Sequence, residues 1–205
     1  MQLIGWGGLD TLVVSAGVSA TRPLLDVAGA DLPDGPTAAG AQRAAQAAQS
    51  ALNANYLGPL LSAVTLIPFM ERTSRAPSIL LISSLGAAIP APTRSLYGSS
   101  KAASLALYQA LAIEHSKVSF TYILPSTVQG NFRSSAVDVD TGAEDTTPNR
   151  VGLTPEAVAL RSQQAVDNGE KVVFYPSSYR WAQLLYWLWP SFVERKAAKK
   201  YHFTT

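Results

Sequence analysis

The sequence predicts an α/β fold built on a parallel sheet, and three observations support this. Four short apolar runs that end in small or turn-forming residues alternate with longer segments of helical spacing. The 205 residues are enough for one domain with a full core. A composition of 47% hydrophobic and 15% charged residues indicates a globular chain. Because strands that alternate with helices are joined by crossovers, the strands are expected to be parallel.

The first half of the chain supplies two strands and two helices. The run LDTLVVSAG at 9–17 ends in small residues and is predicted to be a buried strand that enters a loop. The segment 37–72 begins Ala-rich and becomes apolar with helical spacing, which predicts at least one long helix covering 50–71. PSILLISSL at 77–85 is the second predicted strand. Apolar residues in 95–117 recur with the spacing i, i+4, i+7 and i+8, which indicates a helix.

The second half adds two strands and one helix. VSFTYILPST at 118–127 is the third predicted strand, and its proline stops it. The segment 133–152 is polar and acidic, which predicts a loop. A helix is predicted over 153–169, with Thr154 as its N-cap, a proline in its first turn and a glycine at its end. KVVFYP at 171–176 is the fourth predicted strand.

Composition and charge exclude several classes of function. The chain contains no cysteine, which rules out disulfides and thiolate chemistry. The net charge is +2, but the segment from Arg180 onward holds five basic residues and one acid, so the remainder carries −2. A mildly acidic body argues against a nucleic-acid partner. The absence of any apolar run of eighteen residues argues against a conventional transmembrane helix.

Two of the predicted strands end beside one crevice. In parallel sheets of this kind, ligands bind outside the carboxyl ends of the strands, where Ser84 and Pro125 are expected to lie. The helix that follows Ser84 carries Tyr97 and Lys101, four residues apart and therefore on one helix face. Asn55 lies on the preceding helix. The four side chains Asn55, Ser84, Tyr97 and Lys101 are predicted to converge.

This set of side chains suits the interconversion of an alcohol and a carbonyl. A free tyrosine has a pKa of about 10, and a nearby lysine ammonium is expected to lower the pKa of Tyr97. Tyr97 would then exchange a proton with the substrate oxygen, which Ser84 would hold. Asn55 is expected to orient a water that resupplies the proton. Since no side chain accepts a hydride, the chemistry implies a nicotinamide cofactor.

Several motifs together resemble the short-chain dehydrogenase/reductase superfamily. They are YGSSK at 97–101 with a serine thirteen residues earlier, LVVSAG at 12–17, ANYLGPLL at 54–61 and LPSTVQGNF at 124–132. The sequence is most similar to the 11β-hydroxysteroid dehydrogenase and membrane-associated reductase branch, over residues 9 to 176. The resemblance implies a Rossmann-type fold and an NAD(P)-dependent oxidoreductase acting on an apolar alcohol or carbonyl compound.

The resemblance also assigns roles to individual residues. Tyr97 would act as acid or base, and Lys101 would lower the pKa of this tyrosine and bind the nicotinamide ribose. Ser84 would hold the substrate oxygen, and Asn55 would take part in the proton relay. Contacts with the cofactor fall to Ser15, Ala16, Gly17, Pro125 and Val128, together with Tyr97 and Lys101. NADP is preferred over NAD as the expected cofactor.

The sequence departs from the family pattern in three places. VSAG stands where two asparagines are usual, and Pro-Ser-Thr replaces the usual Pro-Gly, with Gly130 where a threonine often stands. The Gly-rich pyrophosphate loop, which follows the family's first strand, is missing together with roughly the first three strands of the full sheet, and GWGG at 5–8 does not replace that loop. We therefore expect an N-terminally truncated, partial doubly wound sheet in residues 1–178, with the strand at 11–15 as an exposed edge.

Structural explanations compete with the functional ones. Tyr97 and Lys101 alone could be an ordinary pair on a helix surface, and Ser84 an ordinary strand-end serine with Ser83 as its structural neighbour. Asn53 competes with Asn55 for the asparagine position.

The C-terminal segment, 179–205, is aromatic and basic and holds three of the four tryptophans. Aromatic residues flanked by cations predict a helix on an anionic membrane surface. The alternative is a substrate lid or a homodimer contact. The expected location is cytoplasmic, or peripheral on an intracellular membrane such as the endoplasmic reticulum. The competing function is a catalytically inactive fragment that associates with membranes or dimerises.

Overall fold

A four-stranded parallel sheet organises the chain. The computed structural model describes residues 7–30, 33–139, 149–201 and 203. The strands are β1 (Thr11–Val14), β2 (Ser78–Ile82), β3 (Ser119–Pro125) and β4 (Val172–Tyr175). They lie in the order β1-β2-β3-β4, and every neighbouring pair is parallel. The predicted α/β class and parallel sheet are confirmed.

Helices cover both faces of this sheet. They are α1 (Leu24–Val27), α2 (Ala38–Leu52), α3 (Gly58–Thr73), α4 (Ser95–Glu114), α5 (Pro155–Asp167), α6 (Tyr179–Leu188) and α7 (Pro190–Lys200). Alternate strand residues point to opposite faces, so Ile79 and Leu81 pack with α3 and α4 while Leu80 packs with α5. Each fully buried aliphatic or aromatic side chain contributes about 1.5–3 kcal/mol. Because β2 and β3 are covered on both faces, their sequences are continuous apolar runs.

The long helix predicted over 50–71 lies within a longer helical stretch. α2 and α3 are joined by a π-helical turn at Asn53–Leu57. Thr37 caps the start of α2, where its Oγ1 accepts a hydrogen bond from the Gly40 amide at 3.0 Å. The wider turn carries Asn55, and such turns are frequent at functional sites.

Most of the remaining predicted elements are confirmed with adjusted ends. The first strand is shorter than 9–17, because residues 15–23 form an irregular loop. The N-cap of α5 is Thr154, whose Oγ1 accepts from the Ala157 amide at 3.1 Å, as expected. A short 3₁₀ turn at Phe132–Ser135 overlaps the start of the predicted loop 133–152. Residues 140–148 of that loop lie outside the described residues.

The C-terminal segment forms two helices, where the sequence analysis expected one. The break lies at Trp189, with φ −146° and ψ 70°, directly before Pro190. A proline ring disfavours helical geometry in the preceding residue, which explains the break. Neither α6 nor α7 contains a fully buried residue. No helix in the described part of the chain is long and apolar enough to cross a bilayer.

β1 lies at the edge of the sheet. Among the described residues it pairs with β2 alone, and Val13 is 53% exposed. The expected exposed edge is therefore present in this structure.

Candidate active site

A cleft of about 620 Å³ opens at the carboxyl ends of β1, β2 and β3. Seven residues predicted for the site line it, namely Ser15, Gly17, Ser84, Tyr97, Lys101, Pro125 and Val128. Ala16 and Asn55 do not line it. The strand ends thus bring together side chains that lie up to 113 positions apart in the sequence.

The serine and the tyrosine meet because of two local features. Ser84 begins the short turn Leu85–Ala87, where its Oγ accepts from the Gly86 amide at 3.1 Å. Tyr97 lies in the first turn of α4, and the Ser84 hydroxyl is close enough to act on its pKa. A Cβ atom on Gly98 would lie 2.8 Å from the Gly86 carbonyl oxygen. The glycine therefore allows α4 to approach the turn that carries Ser84.

The environment of Tyr97 favours its protonated form. Burial raises the pKa of Tyr97, while the Ser84 hydrogen bond and the Arg94 charge act in the opposite direction. Burial prevails because a phenolate loses more hydration than the phenol. Arg94 is the cation that acts on Tyr97 here, and the lowering of the Tyr97 pKa by Lys101 stays a prediction.

Lys101 is buried in the wall of the cleft. The residue is 4% exposed, and its Nζ donates to the Ile82 carbonyl oxygen at 3.0 Å. Burial lowers the pKa of Lys101 to about 8, because an ammonium is costly to desolvate. At neutral pH most of the Lys101 population is still charged.

Asn55 connects the loop after β1 to α4. Its Nδ2 donates to the Val18 carbonyl and to Ser100 Oγ, both at 3.0 Å, and its Oδ1 accepts from the Val18 amide at 2.8 Å. Both amide hydrogens are therefore used within the protein, so the Asn55 side chain has none left to donate to a water. The competing Asn53 is exposed and accepts from Gln49 at 3.0 Å. Only Asn55 of the two belongs to the site.

Gly17 is packed closely against Asn55 and Lys101, so a side chain would not fit at this position. A Cβ atom there would lie 2.6 Å from Asn55 Oδ1 and 3.3 Å from Lys101 Nζ. The loop after β1 therefore lies directly against Lys101, and both line the cleft. This part of the cleft lies at the carboxyl ends of the strands, where the nicotinamide and ribose of a dinucleotide would lie in a sheet of this kind.

The sequence analysis missed Arg94 as a site residue. Arg94 lines the cleft, and its Nη1 donates to Ser19 Oγ at 3.3 Å and to the Ala20 carbonyl at 3.0 Å. The preceding Thr93 has φ 62°, a left-handed conformation unfavourable for a β-branched residue. Its position directly before α4, three residues ahead of Tyr97, is the signal that could have identified Arg94.

A second missed feature joins the loops that follow β1 and β3. Asp138 Oδ2 accepts from the backbone amides of Thr21 and Arg22, both at 2.7 Å. The Val137 amide donates to the Ser19 carbonyl at 3.0 Å. On the same side, Phe132 packs edge-on against Tyr97, with 5.9 Å between ring centroids. These contacts fix one side of the cleft near the reacting tyrosine.

The C-terminal helices form the outer wall of the cleft. Their lining residues include Tyr179, Ala182, Leu185, Phe192, Val193, Lys196, Ala197 and Lys200. The inward side of α6 and α7 is thus in contact with the space in front of Tyr97. The opposite side of α6 presents Trp181, Leu184, Trp187 and Leu188 to the exterior.

Comparison with known proteins places this geometry in a family. A family model described as short chain dehydrogenase matches residues 3–139. The chain belongs to the short-chain dehydrogenase/reductase family. That membership agrees with the resemblance carried by Tyr97, Lys101 and the serine thirteen residues before the tyrosine.

Two relatives show the branch of the family. Dehydrogenase/reductase SDR family member 7B of Xenopus tropicalis is 30% identical over 169 residues, which cover 80% of this chain and 49% of the relative. An 11-beta-hydroxysteroid dehydrogenase A of Arachis hypogaea is 30% identical over 60% of this chain and 38% of the relative. The predicted similarity to the 11β-hydroxysteroid dehydrogenase branch is confirmed. The chain spans half or less of the length of these relatives.

A solved structure shows the same fold. A short-chain dehydrogenase/reductase from Burkholderia phymatum in complex with NAD matches with a TM-score of 0.69 and 16% identity. The match covers 89% of this chain and 66% of that protein. It confirms the Rossmann-type arrangement of the sheet.

Proposed function

We propose that the protein is an NAD(P)-dependent oxidoreductase that transfers hydride between the nicotinamide and an alcohol or carbonyl group. The observation that carries this proposal is the placement of Ser84 and Tyr97 side by side in the cleft, with Lys101 in its wall. Membership of the short-chain dehydrogenase/reductase family supports it.

The two hydroxyl groups act on the same substrate oxygen. Tyr97 is protonated at neutral pH, because burial raises its pKa. In carbonyl reduction it donates its proton to the oxygen on which charge develops, while Ser84 holds that oxygen with a hydrogen bond. The charge of Arg94 stabilises the phenolate left behind. In alcohol oxidation the same proton moves in the reverse direction.

The loop after β1 and the wall of the cleft would hold the cofactor. Lys101 has ammonium hydrogens beyond the one bonded to Ile82, and these suit the ribose hydroxyls. Ser15 and Gly17 border the same opening, and Pro125 and Val128 line its other side. When bound, the nicotinamide supplies or accepts the hydride. We propose NADP rather than NAD as the cofactor, and this choice rests only on the resemblance to the family.

Asn55 contributes by positioning. Its bonds to Val18 and to Ser100, whose Oγ donates to the Tyr97 carbonyl at 2.8 Å, join the cofactor loop to the catalytic helix. We propose this role for the side chain in place of water orientation.

Titration with NADPH and then NADH tests the proposal directly. We expect saturable binding in the micromolar range, detected as a change in nicotinamide fluorescence. Gly17→Val should abolish it, because the added side chain would collide with Asn55 Oδ1 and displace Lys101 Nζ. Gly58→Ala is the matched control, since its nearest neighbour lies at 3.8 Å. Lack of binding up to millimolar concentration would contradict the enzyme proposal and favour a catalytically inactive chain.

We propose further that part of the substrate is apolar. Leu85, Ile89, Leu185 and Phe192 line the cleft beyond Tyr97. Burial of apolar surface there stabilises a hydrophobic substrate by about 25 cal/mol for each Å² removed from water.

The outer side of α6 supports a peripheral membrane location. Trp187 and Leu188 are each 76% exposed, and cations such as Arg180 and Arg195 flank the helix pair. Tryptophan and basic residues favour the headgroup region of an anionic bilayer. We expect the protein to float with vesicles of mixed neutral and anionic lipid, and Trp187→Ser with Leu188→Ser to prevent it. Equal recovery of both proteins would contradict this location.

An apolar stripe that begins at Leu57, directly before α3, and continues along α3 supports a homodimer. Leu57, Leu61 and Val64 recur at helical spacing and are 40–66% exposed. We expect sedimentation to give twice the chain mass, and Leu61→Asp to reduce it to one chain. A monomer in both cases would contradict the dimer.

A further inference from the structure

A second, smaller cavity of about 320 Å³ lies beside the catalytic cleft. It is lined by Thr21, Thr93, Arg94, Arg133, Ser134, Val139 and Tyr201. Arg94, Arg133 and Tyr201 also line the main cleft, so the two spaces share one border. The shared border is cationic, while much of the main cleft is apolar.

The two guanidinium groups are not neutralised by carboxylates of the described residues. Arg94 uses Nη1 for the neutral oxygens of Ser19 and Ala20, which leaves donors on Nη2 and Nε. The buried carboxylate of Asp138 accepts from backbone amides and from neither arginine. Arg133 is exposed at the cavity edge. A planar guanidinium with open donors suits the paired oxygens of a carboxylate or a phosphate.

The position of Arg94 at the start of α4 determines how far an anion bound to it lies from the hydroxyl group of Tyr97. Arg94 is the N-cap of α4 and Tyr97 is the third residue within it, so they are separated by one helical turn, about 5 Å along the axis. An anion held by Arg94 therefore lies within a few bonds of a carbonyl held by Tyr97. Lys196 and Lys200 line the main cleft from α7 and extend the positive potential.

We propose that the substrate is an anionic amphiphile: its carboxylate or phosphate binds between Arg94 and Arg133, and its apolar part lies under α6. This inference rests on the proposed function and names the substrate class of the same site. It explains why a strained Thr93 precedes Arg94, since the unfavourable backbone directs the chain into α4 with the guanidinium at the cleft. It also explains why an otherwise apolar cleft has a basic border.

Binding of three probes with one chain length tests the inference. Octyl phosphate, octanoate and octanol, each below its micellar concentration, are titrated into the full chain by calorimetry at low salt. We expect at least one of the two anions to bind about ten times more tightly than octanol. The anion that binds more tightly distinguishes a phosphate from a carboxylate substrate. Octanol binding equal to or tighter than both anions would overturn the proposal.

Two variants locate the anion. Arg133→Gln and Arg94→Gln should each reduce the preference for the anion about tenfold and leave octanol binding unchanged. Arg133 is exposed, so its substitution leaves the fold intact, and Arg94→Lys should restore part of the preference. Arg72→Gln, in the last turn of α3, is the control for loss of one charge. A preference that persists in both glutamine variants would overturn the assignment.

The binding assay is independent of turnover. It contains no cofactor, so anion binding without NADPH binding would leave this site in place and remove the proposed function. NADPH binding and carbonyl reduction without any preference for the anions would support the proposed function and overturn the anion site.

Discussion

The two walls of the cleft differ in how firmly they are held. The inner wall, formed by the strand ends and α4, contains Lys101 and is supported from behind by Asn55 and Ser100, and all three side chains are buried and hydrogen-bonded. The outer wall, formed by α6 and α7, has no fully buried residue, and Trp187 projects away from the protein. The chemical groups thus belong to the rigid part, and the contacts that enclose the substrate belong to a part that adjusts more easily.

The largest expected effect is the loss of Tyr97 from the inner wall. Tyr97→Phe removes the proton donor, and we expect NADPH-dependent reduction of fatty or aromatic aldehydes and ketones to fall at least about 100-fold. The free energy of unfolding should change by about 1 kcal/mol or less, as expected for one net hydrogen bond.

Tyr108→Phe on the same helix is the matched control. It leaves the buried Pro59 carbonyl without the 2.8 Å bond from Tyr108, so we expect a loss of about 1–3 kcal/mol of stability with little change in rate. A rate for Tyr97→Phe close to that of Tyr108→Phe would remove Tyr97 from the mechanism.

The second prediction concerns the charge buried in the inner wall. The pKa of Lys101 falls from 10.5 in its ordinary state to about 8 in the folded protein. Each pKa unit corresponds to about 1.4 kcal/mol, so the buried charge costs about 3 kcal/mol below pH 8. Between pH 8 and 10.5 the unfolded chain binds more protons at this site, and the contribution of Lys101 to stability therefore rises with pH.

Urea unfolding of the wild type and Lys101→Met measures this cost. We expect the variant to be more stable at pH 7, and its advantage to shrink by up to about 3 kcal/mol as the pH approaches 10. A difference that stays constant from pH 7 to pH 10 would show that Lys101 is not desolvated in the folded protein.

The third prediction tests the tight packing of the cofactor loop. Gly17→Ala places a Cβ atom 2.6 Å from Asn55 Oδ1, and we expect about 1–3 kcal/mol of destabilisation in thermal or urea unfolding. Gly58→Ala, in a helix with open space, should instead stabilise by about 0.5–1 kcal/mol. Equal stability of the two variants would mean that the loop moves away from Asn55 without cost.

The smallest effect on stability is expected from the outer wall. Removal of residues 179–205 should change the free energy of unfolding of the remaining domain by less than about 1 kcal/mol, because neither α6 nor α7 contains a fully buried residue. Binding of an apolar probe such as octanol should weaken, since Leu185 and Phe192 are lost. Leu105→Ala in the core should cost about 2–5 kcal/mol by comparison. A truncated protein as unstable as Leu105→Ala would contradict the contrast between the walls.

The sequence predicted the features that depend on short spacing. Strand runs, the Thr154 cap and the one-turn separation of Tyr97 from Lys101 are properties of neighbouring residues, and the structure confirms them. The position of Ser84 was predictable because parallel strands end at one edge.

Contacts between distant segments were not predictable. Arg94 binds Ser19, 75 positions away, and Asp138 binds the Thr21 amide, 117 positions away. The pKa of Tyr97 depends on burial, which a motif does not report. The sequence of the C-terminal segment fits a lid and a membrane helix equally well, because aromatic residues lie both on the side of its helices that faces the cleft and on the opposite side.

The strand order carries a consequence for synthesis on the ribosome. Each strand pairs with the strand that precedes it in the chain, so the sheet can grow in the order in which the segments emerge. Ser84, Tyr97 and Lys101 all precede β3 in the chain, and α6 and α7 follow it. The strand order therefore allows these three residues to come together before the helices that cover them have been translated.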